Sequence, residues 1–434
     1  MAVRLAGRRR AVLPVAEDAF AERAGDRGRP VTPDEALMAA RRTPDTFLQL
    51  MPAARNEEAT GPLDGVPFAV KDIFDVRGTR TTAASRVFEH RPPAREDAEA
   101  VRRVTAAGAV LIGKTTMSEL AFSGLGVNEG FGTPTLCRAG RDHVLGGSSS
   151  GSAAAVRAGV VPFALASDTS GSARIPAAWT GLFGFRPSRG RYPSAGMTAL
   201  APTLDTVGLI ADSLEYVETV DRILADVPPP ARDVRAPAFV VPHEAYLASC
   251  DPDVLERFHA DVSRLRAAGH RIAERKIDSL DAARGLHQRH VHIVEAEAFA
   301  AFGAYLEQPD LLGPAVRRRL ERARSRLRAG SADVLYQAMP SLRRQFRREL
   351  GEALLLSPAV EIDAPAYEDV RTSPQTHDER NGRALTMTMV LSYLDAPSLV
   401  IPTGTGEQPA SVQLSSCSGQ DDLVLRAARL LAGT

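Results

Sequence analysis

Two glycine- and serine-rich loops contain the residue types in this chain that could do chemistry. The first is Gly146-Gly-Ser-Ser-Ser-Gly-Ser152, and the second is Asp168-Thr-Ser-Gly-Ser-Ala-Arg174. A helix-prone run at 153–158 and an apolar run at 160–166 separate them, which predicts the order loop, helix, strand, loop. Loops that open helices expose unpaired backbone N–H groups, which favour phosphate, carboxylate or the oxyanion of a tetrahedral intermediate. Their serines could supply a nucleophile.

The first loop also fits the pattern G-x-S-x-G, the nucleophile elbow of α/β-hydrolases, with Ser149 as the nucleophile. An elbow follows directly on a strand, whereas only Val144 and Leu145 are apolar before this one. The three histidines within 287–292 have a spacing that makes a poor zinc site. An α/β-hydrolase therefore remains an alternative with little support from its surroundings.

Lys71 is a candidate general base for a mechanism that uses no catalytic histidine. The turn residues at 61–65 precede an apolar strand at 66–70 that ends directly on this lysine. A lysine buried at the end of a strand loses its charge, and the neutral amine could take a proton from one serine, which takes one from a second. The structural alternative is a lysine that reaches solvent from the strand end.

Three motifs together closely resemble those of the amidase signature family. The separation of 24 residues between Ser148 and Ser172 also agrees with the family's signature. The resemblance is clear from about residue 61 to residue 223 and weaker at 396–414. The motifs are Gly61-Pro-Leu-Asp-Gly-Val-Pro-Phe-Ala-Val-Lys71-Asp72, Gly146-Gly-Ser148-Ser149 and Asp168-Thr-Ser-Gly-Ser172-Ala-Arg174-Ile-Pro176.

Carried over position by position, the resemblance implies that Ser172 forms an acyl-enzyme, that Ser148 bridges nucleophile and base, and that Lys71 is the base. It also implies a cis non-proline peptide before Ser148. The expected oxyanion donors are backbone N–H groups at the start of a helix. These donors belong to Thr169, Ser170, Gly171 and Ser172, and the expected supporting side chains are Ser149, Asp168 and Arg174.

Within the family, the segments after Arg174 look most like the indoleacetamide and mandelamide hydrolase branch. Ser150 and Ser170 stand where the family usually has glycine, and serine would be costly at 170 if that position needed a positive φ. The pocket walls are expected from the helical region 290–395 and from two loops, at 122–128 and 192–200. From those loops we select Phe122, Ser123, Asn128 and Tyr192.

Composition excludes several classes of protein. Of 434 residues 44% are apolar, which is ample for a core, and 53 basic residues balance 53 acidic ones. That balance gives no reason to expect nucleic acid or a membrane as partner. Three scattered cysteines argue against disulfides and against thiolate metal sites. Because the sequence also has no recognisable signal peptide and no apolar span, we expect a cytoplasmic protein without a metal or cofactor.

The alternation of helical and strand-like segments predicts an α/β fold. Thr32-Pro-Asp-Glu35 matches a capping box and predicts a helix to Arg42. The late strands at 354–356, 398–401 and 411–414 have to join the early sheet, which favours one domain. We therefore expect a single large domain with a twisted mixed sheet of about ten strands covered by helices on both faces, in which 1–60 form an N-terminal arm and helices and 61–434 the catalytic domain.

The resulting functional hypothesis is hydrolysis of a small-molecule carboxamide to a carboxylate and ammonia or an amine. Besides the α/β-hydrolase, two alternatives stay open. One is a chain similar to the glutaminase chain of tRNA-dependent amidotransferases, which would need a partner. The other is a catalytically altered member of the fold with a binding or assembly role, which Ser150 and Ser170 keep open. A homodimer is a further candidate state.

Overall fold

A mixed sheet of eleven strands forms the centre of the protein in a computed structural model that describes residues 31–52, 61–228, 237–404 and 409–432. Two further strands, β4 and β5, form a separate hairpin in these ranges. The strands are β1 (Phe47–Leu50), β2 (Pro67–Lys71), β3 (Val110–Thr115), β4 (Thr135–Arg138), β5 (Arg141–Val144), β6 (Phe163–Ser167), β7 (Phe183–Arg186), β8 (Val207–Ala211), β9 (Phe239–Pro242), β10 (Ile272–Arg275), β11 (Leu354–Ser357), β12 (Ser398–Pro402) and β13 (Ser411–Ser415).

The order of strands across the large sheet is β1-β3-β2-β6-β8-β7-β12-β13-β11-β9-β10. Strands β3, β2 and β6 run parallel to one another, as do β11, β9 and β10, while the remaining neighbours are antiparallel. The late strand β12 pairs directly with β7, so the two halves of the chain share one sheet. The predicted single α/β domain with a mixed sheet is confirmed.

Helices cover this sheet, and the first of them begins with the predicted capping box. Thr32 Oγ1 accepts the Glu35 N–H at 3.3 Å, and the Glu35 carboxylate accepts the Thr32 N–H at 3.0 Å. The helices are α1 (Pro33–Arg42), α2 (Glu99–Ala106), α3 (Ser150–Arg157), α4 (Arg174–Thr180), α5 (Leu214–Ala225), α6 (Glu244–Leu247), α7 (Pro252–Ala267), α8 (Asp278–Arg289), α9 (Ile293–Phe302), α10 (Pro314–Ala329), α11 (Asp333–Leu350), α12 (Tyr367–Thr372), α13 (Pro374–Tyr393) and α14 (Asp421–Ala432).

The sheet has an apolar core on each face. Successive residues of a strand point to opposite faces, so Phe68 and Val70 of β2 join one core cluster and Ala69 joins the other. The cluster of Ala69 includes Ala153 of α3 and Ile175 of α4, whereas α2 and α5 contribute to the cluster of Phe68. Helices α3 and α4, which follow the two serine loops, therefore pack on the same face of the sheet.

Several strands carry too little local pattern to be predicted from sequence. Strands β7 and β8 are four and five residues long, each contains a glycine, and neither is predicted. Strand β1 at 47–50 pairs antiparallel with β3.

The division of the chain at residue 60 stays a prediction, and the proposed arm at 1–30 lies outside the described residues. None of the described helices combines the length and apolarity that crossing a bilayer requires.

Candidate active site

Lys71 ends β2 with its side chain fully buried. Its Nζ donates to Ser148 Oγ at 2.6 Å and to Ser167 Oγ at 2.8 Å. Burial lowers the pKa of this amine from 10.5 to about 7, although the negative charges of Asp168 and Asp205 act in the opposite direction. An amine with this pKa is largely neutral slightly above pH 7 and then has a lone pair that can accept a proton.

The sheet explains why a serine of β6 reaches this lysine. Strands β2 and β6 are parallel neighbours in which Val70 pairs with Leu165, so their carboxyl ends meet at one edge. Lys71 and Ser167 are the last residues of these two strands. Ser167 is not among the residues predicted from the sequence, although its position directly after the predicted strand at 160–166 is a signal that could have found it.

The first serine loop places Ser148 beside Lys71. The peptide between Gly147 and Ser148 is cis, as the resemblance implied. The carbonyl of Ser148 accepts the Ser118 N–H at 3.0 Å, which ties the loop to the segment after β3. A Cβ at Gly147 would lie 2.5 Å from the Gly126 nitrogen, so this position requires glycine.

The second serine loop is organised by Asp168, which is completely buried. Its carboxylate accepts N–H groups from Gly171 at 2.8 Å and Ala173 at 3.2 Å. Arg174 donates to the same carboxylate through Nε at 3.0 Å and Nη2 at 2.9 Å. Burial alone would raise the pKa of Asp168, but the charges of Arg174 and Arg186 outweigh it and the net shift is downward. Asp168 and Arg174 thus act as supports of the loop.

The loop geometry changes the expected set of oxyanion donors. The Gly171 N–H is directed at Asp168, so it is committed to the loop and we remove it from the set. Within the described residues, the N–H groups of Thr169, Ser170 and Ser172 donate to no protein acceptor. The positive φ in this loop belongs to Gly171, at 130°, and not to Ser170, so serine at 170 carries no such backbone cost.

Ser172 lies beside the first loop, and 3% of its surface is exposed. Its carbonyl accepts the Ser149 N–H at 3.3 Å, which joins the two serine loops directly. The Ser172 hydroxyl has no hydrogen bond within the part of the chain that the structure describes. Of the expected proton relay from Ser172 through Ser148 to Lys71, the contact between Lys71 and Ser148 is the part observed. Ser149 itself is buried, and its hydroxyl donates to the Ser167 carbonyl at 3.5 Å.

A cavity of about 340 Å³ has Ser123 and Asn128 in its wall. Ser123 Oγ donates to Asn381 Oδ1 at 3.0 Å, while Asn128 Nδ2 donates to the carbonyls of residues 84 and 117 at 2.9 Å. Phe122 is buried under the guanidinium of Arg319, 4.2 Å from its ring centroid. Ser123 and Asn128 therefore lie in the wall of this cavity and Phe122 directly precedes Ser123 in the chain, while their role as substrate-pocket residues stays a prediction.

Tyr192 does not belong to this cavity. Its hydroxyl donates to Asp221 Oδ1 at 2.6 Å, and its ring meets Phe185 edge to face at a centroid distance of 6.4 Å. Asp221 also binds Arg191, with Nη2 at 2.8 Å from Oδ2. The loop after β7 thus turns Tyr192 towards α5, and we withdraw it as a pocket residue.

Residues far along the chain complete the site. Thr388 Oγ1 donates to the Ser170 carbonyl at 2.6 Å, and Asn381 Oδ1 accepts both the Ser123 hydroxyl and the Gly124 N–H. Both residues belong to α13, more than 200 residues from the second serine loop. No local pattern in the sequence marks them, because their role depends on how α13 packs.

Two of the three clustered histidines, His287 and His292, contact backbone carbonyls through a ring nitrogen. His287 Nδ1 is 2.8 Å from the Ala283 carbonyl, and His292 Nε2 is 2.7 Å from the His287 carbonyl. Burial, followed by the neighbouring His292, lowers the pKa of His287 to about 4. Among the described residues, no group of three or more His, Cys, Asp or Glu side chains is arranged to hold a metal ion.

Comparison with known families gives a match that spans most of the chain. The model of the family described as Amidase matches residues 31–425. A component of the glutamyl-tRNA(Gln) amidotransferase of Roseiflexus castenholzii is 31% identical over 418 aligned positions, which cover 86% of this chain and 83% of that protein. AtzE of Pseudomonas sp. strain ADP, which belongs to a 1-carboxybiuret hydrolase, is 32% identical over 87% of this chain and 85% of that one.

Solved structures show the same architecture. A crystal structure of an amidase superposes with a TM-score of 0.78 at 28% identity and covers 97% of this chain and 99% of that one. The corresponding glutamyl-tRNA(Gln) amidotransferase component of Thermotoga maritima gives a TM-score of 0.75 at 26% identity and covers 96% and 93%. The fold of nearly the whole chain is therefore shared with these proteins.

Proposed function

We propose a mechanism from the premise that this chain belongs to the Amidase family and is an enzyme acting on carbon–nitrogen bonds of amides. In it, Ser172 Oγ attacks the amide carbonyl and forms the acyl-enzyme. Ser148 passes the proton of Ser172 to Lys71, and the same path returns it to the leaving nitrogen. Ammonia or an amine departs, and a water molecule then releases the carboxylate by the reverse of these steps.

The contact between Lys71 and Ser148 is the observation that supports this proposal most strongly. The two side-chain atoms are 2.6 Å apart with no exposed surface on either residue. Once Lys71 is neutral, the Ser148 hydroxyl can become the donor across the same contact, and the lone pair of the amine can accept its proton. A hydroxyl has a pKa far above 7 and is a weak nucleophile until such a base takes its proton.

The negative charge that develops on the substrate oxygen needs donors that are already in place. We assign this role to the backbone N–H groups of Thr169, Ser170 and Ser172, which have no protein acceptor among the described residues. Thr388 holds the Ser170 carbonyl and Asp168 holds the Gly171 N–H, so the loop is fixed on both sides. Each such donor is worth about 3 kcal/mol of transition-state stabilisation in enzymes where it has been removed.

Replacement of single serines tests this assignment. Ser172→Ala should abolish ammonia release from primary amides while the circular dichroism spectrum and melting temperature stay near those of the wild type. The matched control is Ser149→Ala, which removes a neighbouring buried hydroxyl and should keep most of the activity. A dead Ser149→Ala beside an active Ser172→Ala would transfer the nucleophile to the elbow of an α/β-hydrolase.

A second candidate function is ammonia production for a transferase complex. Two similar proteins are components of a glutamyl-tRNA(Gln) amidotransferase, at 31% and 26% identity, which is the observation in its favour. A component of that kind depends on a partner for full activity. Ammonia release by the purified lone chain, at a rate that added partner fractions do not raise, would decide for the hydrolase.

Several narrower expectations stay predictions. They are the indoleacetamide and mandelamide branch, the homodimer and the cytoplasmic location. The catalytically silent alternative predicts no turnover of any amide, and the Ser172→Ala comparison tests it as well, because a silent wild type would match the variant. Hydrolysis of a panel of primary amides, measured by the release of ammonia, would identify which acyl groups the enzyme accepts.

A further inference from the structure

Two side chains meet where the ladder between β6 and β8 continues past the ends of these antiparallel strands. Asp168 and Thr206 come first, and they exchange backbone hydrogen bonds of 2.9 Å and 3.3 Å. One residue further on each side, Thr169 lies opposite Asp205, and Thr169 Oγ1 donates to Asp205 Oδ1 at 2.6 Å. Strand pairing therefore brings the carboxylate of Asp205 to the second serine loop.

Asp205 also closes the turn from which it comes. Its Oδ2 accepts the Leu200 N–H at 2.9 Å and the Ala201 N–H at 3.0 Å, and its own N–H donates to the Ala201 carbonyl at 2.9 Å. The side chain is partly exposed. Its partial burial raises the pKa of Asp205, while the hydrogen bonds from Thr169 and from the turn act in the opposite direction. All three partners donate to the carboxylate, which ties Thr169 to a turn held by its own backbone.

The charge of Asp205 differs from that of Asp168, its neighbour in the site. Asp168 is paired with Arg174 at 2.9 Å and has Arg186 at 3.8 Å. In the ranges of the chain that the structure describes, Asp205 forms no ion pair and its partners are uncharged donors. Both carboxylates act on the amine of Lys71 and favour its protonated form. Of the two, Asp205 therefore has the negative charge that no cation balances.

A second carboxylate reaches the same turn from helix α9. Glu297 Oε2 accepts the Thr203 N–H at 3.0 Å, and its Oε1 accepts the Tyr336 hydroxyl at 2.7 Å. Besides burial, the charge of Glu297 raises the pKa of Asp205. The charges that act on Lys71 are those of Asp168 and Asp205. Asp205 and Glu297 thus form a natural comparison, because both hold one turn and one of them influences the base.

We propose that Asp205 is a positioning residue of the reaction, which holds an oxyanion donor in place through the Thr169 side chain and puts an unbalanced negative charge near Lys71. This inference rests on the proposed hydrolysis, in which the Thr169 N–H is a donor and Lys71 is the base. The hydrogen bond to Asp205 restrains Thr169, and with it the N–H that has to point at the developing charge. The negative charge keeps Lys71 protonated to a higher pH than burial alone would allow.

The effect of the charge can be measured on Lys71 itself, because the sequence has three lysines, at 71, 114 and 276. An isotope label at the ε carbon of lysine gives one NMR signal for each, and the Lys71 signal is the one that Lys71→Met lacks. In the wild type this signal should titrate with a midpoint of about 7. In Asp205→Asn the midpoint should fall by about 0.5 pH unit or more, because the charged amine loses an attractive charge. An unchanged midpoint would overturn the proposal.

The matched control is Glu297→Gln, which removes a negative charge from the same turn and keeps a side-chain acceptor for the Thr203 N–H. It should leave the Lys71 midpoint within about 0.2 pH unit of the wild type and keep kcat close to it. The signal of Lys276, whose side chain is 67% exposed, should titrate alike in all variants. A shift in Glu297→Gln as large as that in Asp205→Asn would contradict a specific role for Asp205.

Replacing Thr169 tests the positioning part. Thr169→Val keeps the shape of the side chain but removes the hydroxyl, and kcat should fall by about tenfold or more while KM changes less, because the donor acts on charge that develops in the transition state. Thr169→Ser keeps the hydroxyl and should recover kcat to within about threefold of the wild type. Wild-type kcat in Thr169→Val would reject this role. The comparison also carries the test if Asp205→Asn does not fold.

The NMR titration needs no turnover, so it separates this proposal from the function on which it rests. In an active enzyme the midpoint of kcat/KM against pH should move together with the Lys71 signal in Asp205→Asn. Amide turnover by the wild type, with an unchanged Lys71 midpoint in Asp205→Asn, would reject the role of Asp205 and keep the hydrolysis. A shifted midpoint in a protein whose wild type releases ammonia from no amide would reject the hydrolysis and keep the effect of Asp205 on Lys71.

Discussion

Two lysines are buried side by side on neighbouring parallel strands, and their partners differ. Lys71 ends β2 and Lys114 lies in β3, where it pairs in register with Val70. Lys114 Nζ forms an ion pair with Asp72 Oδ1 at 2.7 Å and also donates to the Thr81 hydroxyl at 3.0 Å. Lys71 Nζ instead donates to two hydroxyls.

This difference shows that burial alone does not make a base. Both side chains are fully buried, but Lys114 forms an ion pair with a carboxylate, whereas Lys71 contacts two hydroxyl groups, which leave its loss of hydration largely uncompensated. The pKa of Lys71 accordingly falls to about 7. Asp72 is adjacent to Lys71 in sequence and yet pairs with Lys114, because neighbouring residues at a strand end point to different sides.

The largest expected difference between the two lysines is in activity. Lys71→Met should lower kcat/KM by about 10³-fold or more, because it removes the base on which both proton transfers depend. The folded state should not be lost, since a buried amine that prefers to be neutral is replaced by an apolar side chain of similar length. Ammonia release and a thermal melt on the same preparation measure both. Activity within tenfold of the wild type would remove Lys71 from the mechanism.

The converse is expected at Lys114, where the main effect is on stability. Lys114→Met leaves the Asp72 carboxylate buried without its cation and should lower the free energy of unfolding by about 3 to 5 kcal/mol. Chemical denaturation measures this loss. The double variant Lys114→Met/Asp72→Asn should recover part of it. A Lys114→Met protein as stable as the wild type would show that the ion pair is not what distinguishes the two sites.

The dependence on pH should separate the two lysines next. Activity needs neutral Lys71, so kcat/KM should rise about tenfold per unit below pH 7 and level off above it. The folded pKa of Lys71 lies below its ordinary 10.5, so the unfolded chain binds more protons between about pH 7 and 10.5 and stability rises with pH in that window. Lys71→Met should have a smaller rise than the wild type.

A control for this pH prediction comes from the other lysine. Lys114→Arg keeps a cation beside Asp72, and its activity profile should have the same midpoint as the wild type. If the midpoint moved in Lys114→Arg but not in variants of residues around Lys71, the titrating group would not be Lys71, and our assignment would be wrong.

The smallest expected effect concerns the second hydroxyl beside Lys71. Ser167→Ala removes the 2.8 Å contact to Nζ but leaves Ser148 in place, so we expect kcat to fall by about tenfold or less. It should also move the activity midpoint to lower pH, because the charged amine loses a hydrogen-bond acceptor. A pH profile of kcat/KM measures the shift. A midpoint moved upward would mean that Ser167 stabilises the neutral amine.

The motifs allowed several features to be predicted before the fold was known. The capping box of α1 and the strand that ends on Lys71 depend on local spacing, and both are observed. The two serine loops precede helices, at Ser150 and Arg174, as their composition indicates. Local patterns succeed here because the hydrogen bonds and apolar faces involved lie within a few residues of one another.

Tertiary structure decided the rest of the site. Ser167 and Thr388 reach the serine loops through strand pairing and helix packing, and the Gly171 N–H turns inward to Asp168. Tyr192, close to the motifs in sequence, is buried against Asp221 of α5, away from the cavity. The sequence by itself determined which chemical groups were available. Which of two buried lysines lacks a carboxylate partner was decided by contacts between strands, because desolvation and charge depend on neighbours that the order of residues does not specify.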